Sequence, residues 1–359
     1  MARLDELLVR LKELRGSDLH LASGVAPRLR VRGALAEADG WGVQEDASLR
    51  ELLREITNAE QWQEFESRRD LDFAHAVSGV GRFRANYFVQ QNGVAAVFRL
   101  IPEKILSVEE LGLPAAIESL AHLDKGLVLV TGPTGSGKST TLAALIDKIN
   151  SSHARHIVTI EDPVEFVHEN KRSVVSHREV GRHSRGFGPA LRSAVRQDAD
   201  VVLVGELRDR ETIGLAITAA EMGLLVFGTL HTNSAAKTID RVIDAFPAEE
   251  QNQVRVSLSE SLAGVVSQLL LPTADGKGRI AVHEVLLRTS GLPNVIREGN
   301  TSMLNSIIQS GKAAGMQAMD DALFESVKSG RLLPADAHAK ATNKARFEPL
   351  LAGSAQSAA

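Results

Sequence analysis

The stretch GLVLVTGPTGSGKSTTLAAL, from Gly126 to Leu145, constrains this chain more than any other. A short apolar run enters a glycine-rich turn, and the turn leads into a helical pattern opened by a lysine and hydroxyls. Gly132, Gly137, Lys138 and Ser139 satisfy G-x-x-x-x-G-K-[ST], set between a predicted strand and a predicted helix as the mechanism requires. Glycines let the backbone curl so that its N–H groups point at phosphate oxygens, and the helix adds its positive N-terminal end. Gly132, Pro133, Thr134, Gly135, Ser136, Gly137, Lys138, Ser139 and Thr140 are therefore the expected contacts of a nucleoside triphosphate. Lys138 would face the β and γ phosphates, and the Ser139 hydroxyl would ligate Mg2+.

From Leu127 onward, short apolar runs alternate with helical stretches: LVLV, HIVTI, DVVLVG and LLVFGTLHT. That rhythm predicts a parallel sheet covered by helices. Such sheets present chemistry at the C-terminal ends of their strands. HIVTI is followed by Glu161, Asp162 and Glu165, VVLVG by Glu206, and LLVFGTL by His231. Phosphoryl transfer needs carboxylates near the metal and the attacking water, but residue chemistry alone leaves Glu161, Asp162, Glu165 and Glu206 as alternatives for the group that orients water. His231 sits where a γ-phosphate sensor would. Beyond about residue 245 the apolar spacing reads as helical, as in VSLSESLAGVVSQLLL, and GSAQSAA reads as a frayed tail.

The first hundred residues differ in pattern. Leu4, Leu7, Leu8, Leu11 and Leu14 share one face of a helix that Gly16 can end, LRVRGAL reads as a strand and turn, and RELLREITNAEQWQEFE as a polar helix. In DLDFAHAVSGVGRFRANYFVQQNGVAAVFRLI, alternating runs flank Asn92-Gly93, a strong hairpin signal. Residues 1–100 are thus expected to form a small α+β domain, 101–115 a proline-bounded linker, 116–350 an α/β nucleotide domain with a helical C-terminal region, and 351–359 a tail.

With 41 Lys and Arg against 45 Asp and Glu, the net charge of -4 argues against a chain whose main task is coating nucleic acid. The absence of cysteine excludes disulfides, thiolate zinc sites and iron–sulfur clusters. No segment approaches the ~20 apolar residues that span a bilayer, and MARLDELLVRLKELRG lacks the apolar centre of a signal peptide, so any membrane association is expected to be peripheral.

Taken together, GSDLHL, TIEDPVEF, VVLVGELRD, VFGTLHTNSAAKTIDRV and GMQAMDDAL resemble motifs of the hexameric secretion ATPases, and within them the type IV pilus retraction ATPases of the PilT type. The likeness covers nearly the whole chain. It implies a PAS-like N-terminal domain before a RecA-like ATPase domain, binding ATP and Mg2+. It would make Glu165 the catalytic carboxylate, Glu206 the Walker B group near the metal, and His231 the remaining histidine of its box. It also gives the alternating GRFRAN segment a role: arginines here, Arg84 and, on the partner strand, Arg99, would reach a nucleotide across a domain or subunit boundary. The planar guanidinium fork suits that task, as it can bind two phosphate oxygens at once. Implied partners are five further copies in a homohexamer, an inner-membrane pilus platform protein and a paralogous retraction ATPase, with no nucleic acid. The implied location is the cytoplasmic face of the inner membrane at the pilus base, and the implied work is pilus disassembly and twitching motility.

Two positions depart from the family's pattern. Leu224 stands where the histidine box has an earlier histidine, and Pro293 in GLPNVIREGN stands where a segment like AIRNLIRE has an arginine. A leucine offers no hydrogen bond, and proline disturbs a helix unless it lies in the first turn. These keep open the alternative of an accessory ATP-binding paralogue with slow turnover. A nucleic-acid translocase on the same fold is disfavoured by the mild acidity and few aromatic residues.

Overall fold

The computed structural model describes residues 2–102 and 104–351. Internal contacts divide the chain into two units: the first comprises the chain up to Lys104 together with Asp162–Val167, the second Ile105–Glu161 and His168 onward. The expected tail beyond Leu351 lies outside the described residues.

In the first unit, helix α1 (Arg3–Glu13) buries Leu4, Leu7, Leu8 and Leu11, whereas Leu14 is the C-cap and is 40% exposed. The helix stops because Arg15 turns left-handed at φ 52°, one residue before the glycine expected to end it. Strands β1 (Asp18–Ala22), β2 (Arg28–Val31) and β3 (Ala34–Glu37) follow. The single helix expected from RELLREITNAEQWQEFE is two, α2 (Asp46–Arg54) and α3 (Ala59–Arg68). Asn58 separates them: its side chain accepts from the Gln61 N–H while Gln61 reaches back to the Asn58 N–H, a capping box that starts a new helix.

Strands β4 (Asp70–Val77), β5 (Gly81–Gln90) and β6 (Gly93–Ile101) complete a six-stranded antiparallel sheet in the order β3-β2-β1-β6-β5-β4. Gln90 pairs with Gly93, so the hairpin turn is Gln91-Asn92 and Gly93 opens the next strand. Side chains alternate between the faces. Phe83, Ala85, Tyr87, Phe98, Leu19 and Leu29 face the helices and are buried, with the Tyr87 ring edge-on to Phe65, Phe73 and Phe98.

In the second unit, helix α4 (Ala115–Glu118) precedes β7 (Gly126–Thr131) and α5 (Lys138–Ser152). Upstream of α4, Val108 is buried in this unit's core, with Leu111 and Leu113 packed beside it. Then come β8 (His156–Glu161), β9 (Val174–Glu179), α6 (Phe187–Ala194), β10 (Val201–Val204), α7 (Arg210–Glu221) and β11 (Leu225–Leu230). After helices α8 (Ala235–Asp244) and α9 (Ala248–Ser261), β12 (Leu262–Pro272) and β13 (Arg279–Leu287) extend the sheet. Four helices close the chain: α10 (Leu292–Glu298), α11 (Leu304–Ser310), α12 (Met319–Lys328) and α13 (Pro334–Lys340).

The sheet order is β13-β12-β7-β11-β10-β8-β9, all parallel except the edge strand β13. The four predicted strands are the four at its centre, β7, β11, β10 and β8. The helical reading of VSLSESLAGVVSQLLL is corrected at Leu262, where α9 ends and β12 begins. A strand buried on both faces has no alternation to betray it, and β-branched Val265-Val266 favours the extended form. Arg288 stabilises the break by donating to the Ser259, Glu260 and Leu262 carbonyls that α9 leaves unpaired. Among the described residues no helix is long and apolar enough to cross a membrane.

Candidate functional site

The glycine-rich turn expected to be a phosphate loop lies between β7 and α5. Gly132, Gly135 and Gly137 have φ of 146°, 77° and 87°, a region closed to most L side chains. At Gly132 space is also short, since an added Cβ would lie 2.2 Å from the Gln268 carbonyl oxygen. Lys138 is largely buried, and its ammonium donates to the carbonyls of Gly132 at 2.9 Å and Pro133 at 3.1 Å, which holds the charge over the loop. Ser136 Oγ is buried without a hydrogen-bond partner among the described residues. A loop of left-handed glycines, a positioned ammonium, an unspent hydroxyl and a helix N-terminus fits a polyphosphate.

Strands β7, β11 and β10 are neighbours and parallel, so their C-terminal ends share one edge of the sheet. Glu206 follows β10 and His231 follows β11, and the two meet: His231 Nε2 lies 3.2 Å from Glu206 Oε1, while Arg208 Nε donates to Glu206 Oε2 at 2.8 Å. The Glu206 side chain is 26% exposed. His231 thus follows the strand next to β7 and Glu206 the strand beyond it. A ladder of hydroxyls links these strands, with Thr232 paired to Thr238 at 2.7 Å, Thr238 donating on to Thr131 at 3.5 Å, and Thr131 paired to Ser267 at 2.9 Å.

Glu165 belongs to the first unit, with Asp162–Val167. There Arg84 and Arg99 are direct cross-strand partners on the face of the sheet opposite the core. Each has a carboxylate at its flank: Asp72 binds Arg84 through both oxygens, and Arg99 Nε donates to Asp18 Oδ1 at 2.8 Å. Arg84 is held more firmly protonated than usual, first by the Asp72 hydrogen bond, with the charges of Glu165 and Asp162 adding to it. Burial pushes the Asp18 carboxyl up, yet hydrogen bonds from Ser17 and Arg99 leave it below its ordinary value. His20, on the same face, is depressed by burial and by the Arg30 and Arg99 charges. The predicted site residues therefore fall into two groups, the phosphate loop with Glu206 and His231 in one unit, and Arg84, Arg99 and Glu165 in the other.

Both departures find local explanations. Leu224 immediately precedes β11 and packs on the core of the second unit. It lies at the opposite end of that strand from His231, roughly 20 Å away at about 3.3 Å per residue. Pro293 occupies the first turn of α10, where the missing N–H is needed by no helical partner, and the helix proceeds to a left-handed Gly299.

Sequence reasoning overlooked Asp18 and Asp72, the carboxylates that hold the arginines, and the buried Gln268, which touches the phosphate loop. The signal for Gln268 was present: Ser267-Gln268 are the polar interruption of an otherwise apolar run, GVVSQLLL.

Comparison with known proteins identifies the family. The family model described as Type II/IV secretion system protein matches residues 74–333. The chain is 50% identical over 338 residues to the type IV pilus retraction ATPase PilT of Pseudomonas aeruginosa, covering 94% of this chain and 98% of that one. It is 47% identical over 339 residues to a twitching motility protein of Neisseria gonorrhoeae, covering 93% and 90%. A crystal structure of the pilus retraction motor PilT with bound ADP superposes with a TM-score of 0.89 at 42% identity, covering 97% of this chain and 99% of that one. A phosphate loop, a Glu–His pair at neighbouring strand ends and a likeness spanning almost the full length agree that this chain belongs to the Type II/IV secretion system protein family.

Proposed function

We propose that this chain is a Mg2+-dependent ATPase that works in a ring of six copies to drive pilus retraction. The observation that carries the reading is the assembly of loop, Glu206 and His231 at one sheet edge, in a chain so nearly co-extensive with a pilus retraction ATPase. Lys138 holds the β and γ phosphates, and Ser139 and Glu206 hold the cation. Magnesium typically keeps several waters and takes few protein ligands. Held by Ser139 and Glu206, the cation would supply charge to offset what develops on the phosphate oxygens.

Glu165 orients the attacking water, and His231, through Glu206, senses the γ phosphate. Arg84 and Arg99 supply charge to the nucleotide bound by the second unit, from their own chain or a neighbour, and release of that grip on hydrolysis is the mechanical step. The platform protein in the inner membrane, a paralogous ATPase and the cytoplasmic location belong to this same reading.

Turnover of ATP per subunit, measured with and without Mg2+ across protein concentrations, tests it. The expected result is Mg2+-dependent turnover that rises steeply with concentration as copies associate. Turnover that is fast but independent of concentration would overturn the ring, and none at any concentration would overturn the motor.

A further inference from the structure

Gln268 stands on β12, far from the phosphate loop in sequence, yet it touches the loop at three places. Its backbone carbonyl oxygen occupies the space where a Cβ at Gly132 would lie, 2.2 Å from that position. Its Nε2 donates to the Ser136 carbonyl at 2.6 Å. Its Oε1 accepts from Thr141 Oγ1 at 2.7 Å, and Thr141 lies in the first turn of α5. One residue therefore meets the first glycine of the loop through its backbone, and the Ser136 carbonyl and the helix that follows through its side chain. Gln268, Thr141 and Ser136 are each 2% exposed, so water does not substitute for these bonds.

Behind Gln268 stands its cross-strand partner, His283, whose Nε2 is 3.2 Å from Gln268 Oε1. Oε1 carries no hydrogen, so His283 Nε2–H is the donor. The carboxamide is thus held in one orientation by two donors at its oxygen, which fixes which end of it faces the loop.

The consequence follows from the planarity of the peptide group. The Ser136–Gly137 peptide is trans, so its C=O and N–H point in opposite directions. Drawing the Ser136 carbonyl toward Gln268 turns the Gly137 N–H away from Gln268. In a loop of this kind the N–H groups must all face the phosphate, and a flipped peptide would present an oxygen to an anion instead. We propose that Gln268 is a positioning residue for nucleotide binding and phosphoryl transfer, which locks the Ser136–Gly137 peptide with its N–H toward the phosphates. The proposal deepens the ATPase reading above and rests on it. A carboxamide suits this role because it offers a donor and an acceptor in one plane; a carboxylate would set an acceptor against the Ser136 carbonyl, and an aliphatic chain would leave the peptide free to turn.

The test compares the full-length chain with Gln268→Glu, Gln268→Leu and, as a control for packing alone, Val265→Ala, a buried site on the same strand. ADP affinity by calorimetry and the kcat and KM of ATP turnover are read below each variant's melting temperature. Both Gln268 variants should weaken ADP binding and raise KM about tenfold or more, the cost of one bond to phosphate, whereas Val265→Ala should lower the melting temperature and leave KM within twofold. Thr141→Val removes one of the two donors without touching the strand and should raise KM about threefold. This variant carries the test should the Gln268 variants not fold. ADP affinity and KM within twofold of the parent in both Gln268 variants, or in Thr141→Val where they do not fold, would overturn the proposal, as would Val265→Ala raising KM as much as they do. A parent chain that binds no ADP would instead overturn the ATPase reading itself.

Discussion

The two sheets of this molecule solve the same problem in opposite ways. The parallel sheet of the second unit has its central strands buried on both faces, so the candidate groups of those strands appear where the strands end, as Gly132, Glu206 and His231 do. The antiparallel sheet of the first unit buries one face under helices and leaves the other polar, so its candidate groups appear along the strands, in the cross-strand pair Arg84 and Arg99. Groups at strand ends are fixed by the backbone of a loop. Groups on a sheet face depend on long side chains steered by neighbours, here Asp72 and Asp18. The first kind should be sensitive to loop geometry and the second to charge.

Three measurements break or sharpen that contrast. The largest effect is expected at the loop that follows β7: Lys138→Ala should lower ATP turnover by about 10²–10³-fold, the usual loss for one donor to developing phosphate charge. Near-parental turnover would place the chemistry elsewhere.

Next comes acid. Burial depresses His283 and His168, both in the second unit, to about 4, below the ordinary 6.5. In each case the unfolded chain takes up a proton that the folded one refuses. Stability is therefore complete above about pH 6.5 and falls as pH drops toward 4, by about 3 kcal/mol for each histidine. Trp41 and Trp62 both lie in the first unit, so urea midpoints followed by tryptophan fluorescence should move less over this range than midpoints followed by far-ultraviolet circular dichroism. Coincident midpoints at every pH would show the two units unfolding as one.

The smallest effect on stability, and a clear one on function, is expected on the open face. The Arg99 side chain is 69% exposed, and Asp18 keeps Arg30 3.9 Å away as a second cation. Arg99→Ala should cost about 1 kcal/mol or less in unfolding while lowering turnover about tenfold. The reverse result, a large loss of stability with turnover intact, would make this face structural.

How much the sequence revealed follows from how local each feature is. The phosphate loop is written in nine consecutive residues, and the central strands of the parallel sheet carry enough β-branched apolar character to stand out. The polar face of the first sheet showed in the alternation of GRFRAN, which placed Arg84 and Arg99 correctly on neighbouring strands, but the carboxylates that hold them come from β1 and β4 and needed register to be found. Strand β12 passed for helix because burial on both sides removes the alternation that marks a strand. Glu165 follows β8 in sequence yet packs with the first unit, a choice made by tertiary contacts that no motif encodes. Pro293 looked disruptive only until the first residue of α10 was known.

Gln268 binds the phosphate loop across 132 residues of sequence. A chain made from its N-terminus completes the glycine loop long before it makes the strand that braces it, and domains generally fold as units during synthesis. Until β12 has emerged from the ribosome, the loop lacks its brace, so the nascent chain carries a nucleotide motif without a finished nucleotide site. A nascent chain halted before β12 is therefore expected to hold nucleotide more weakly than the finished one.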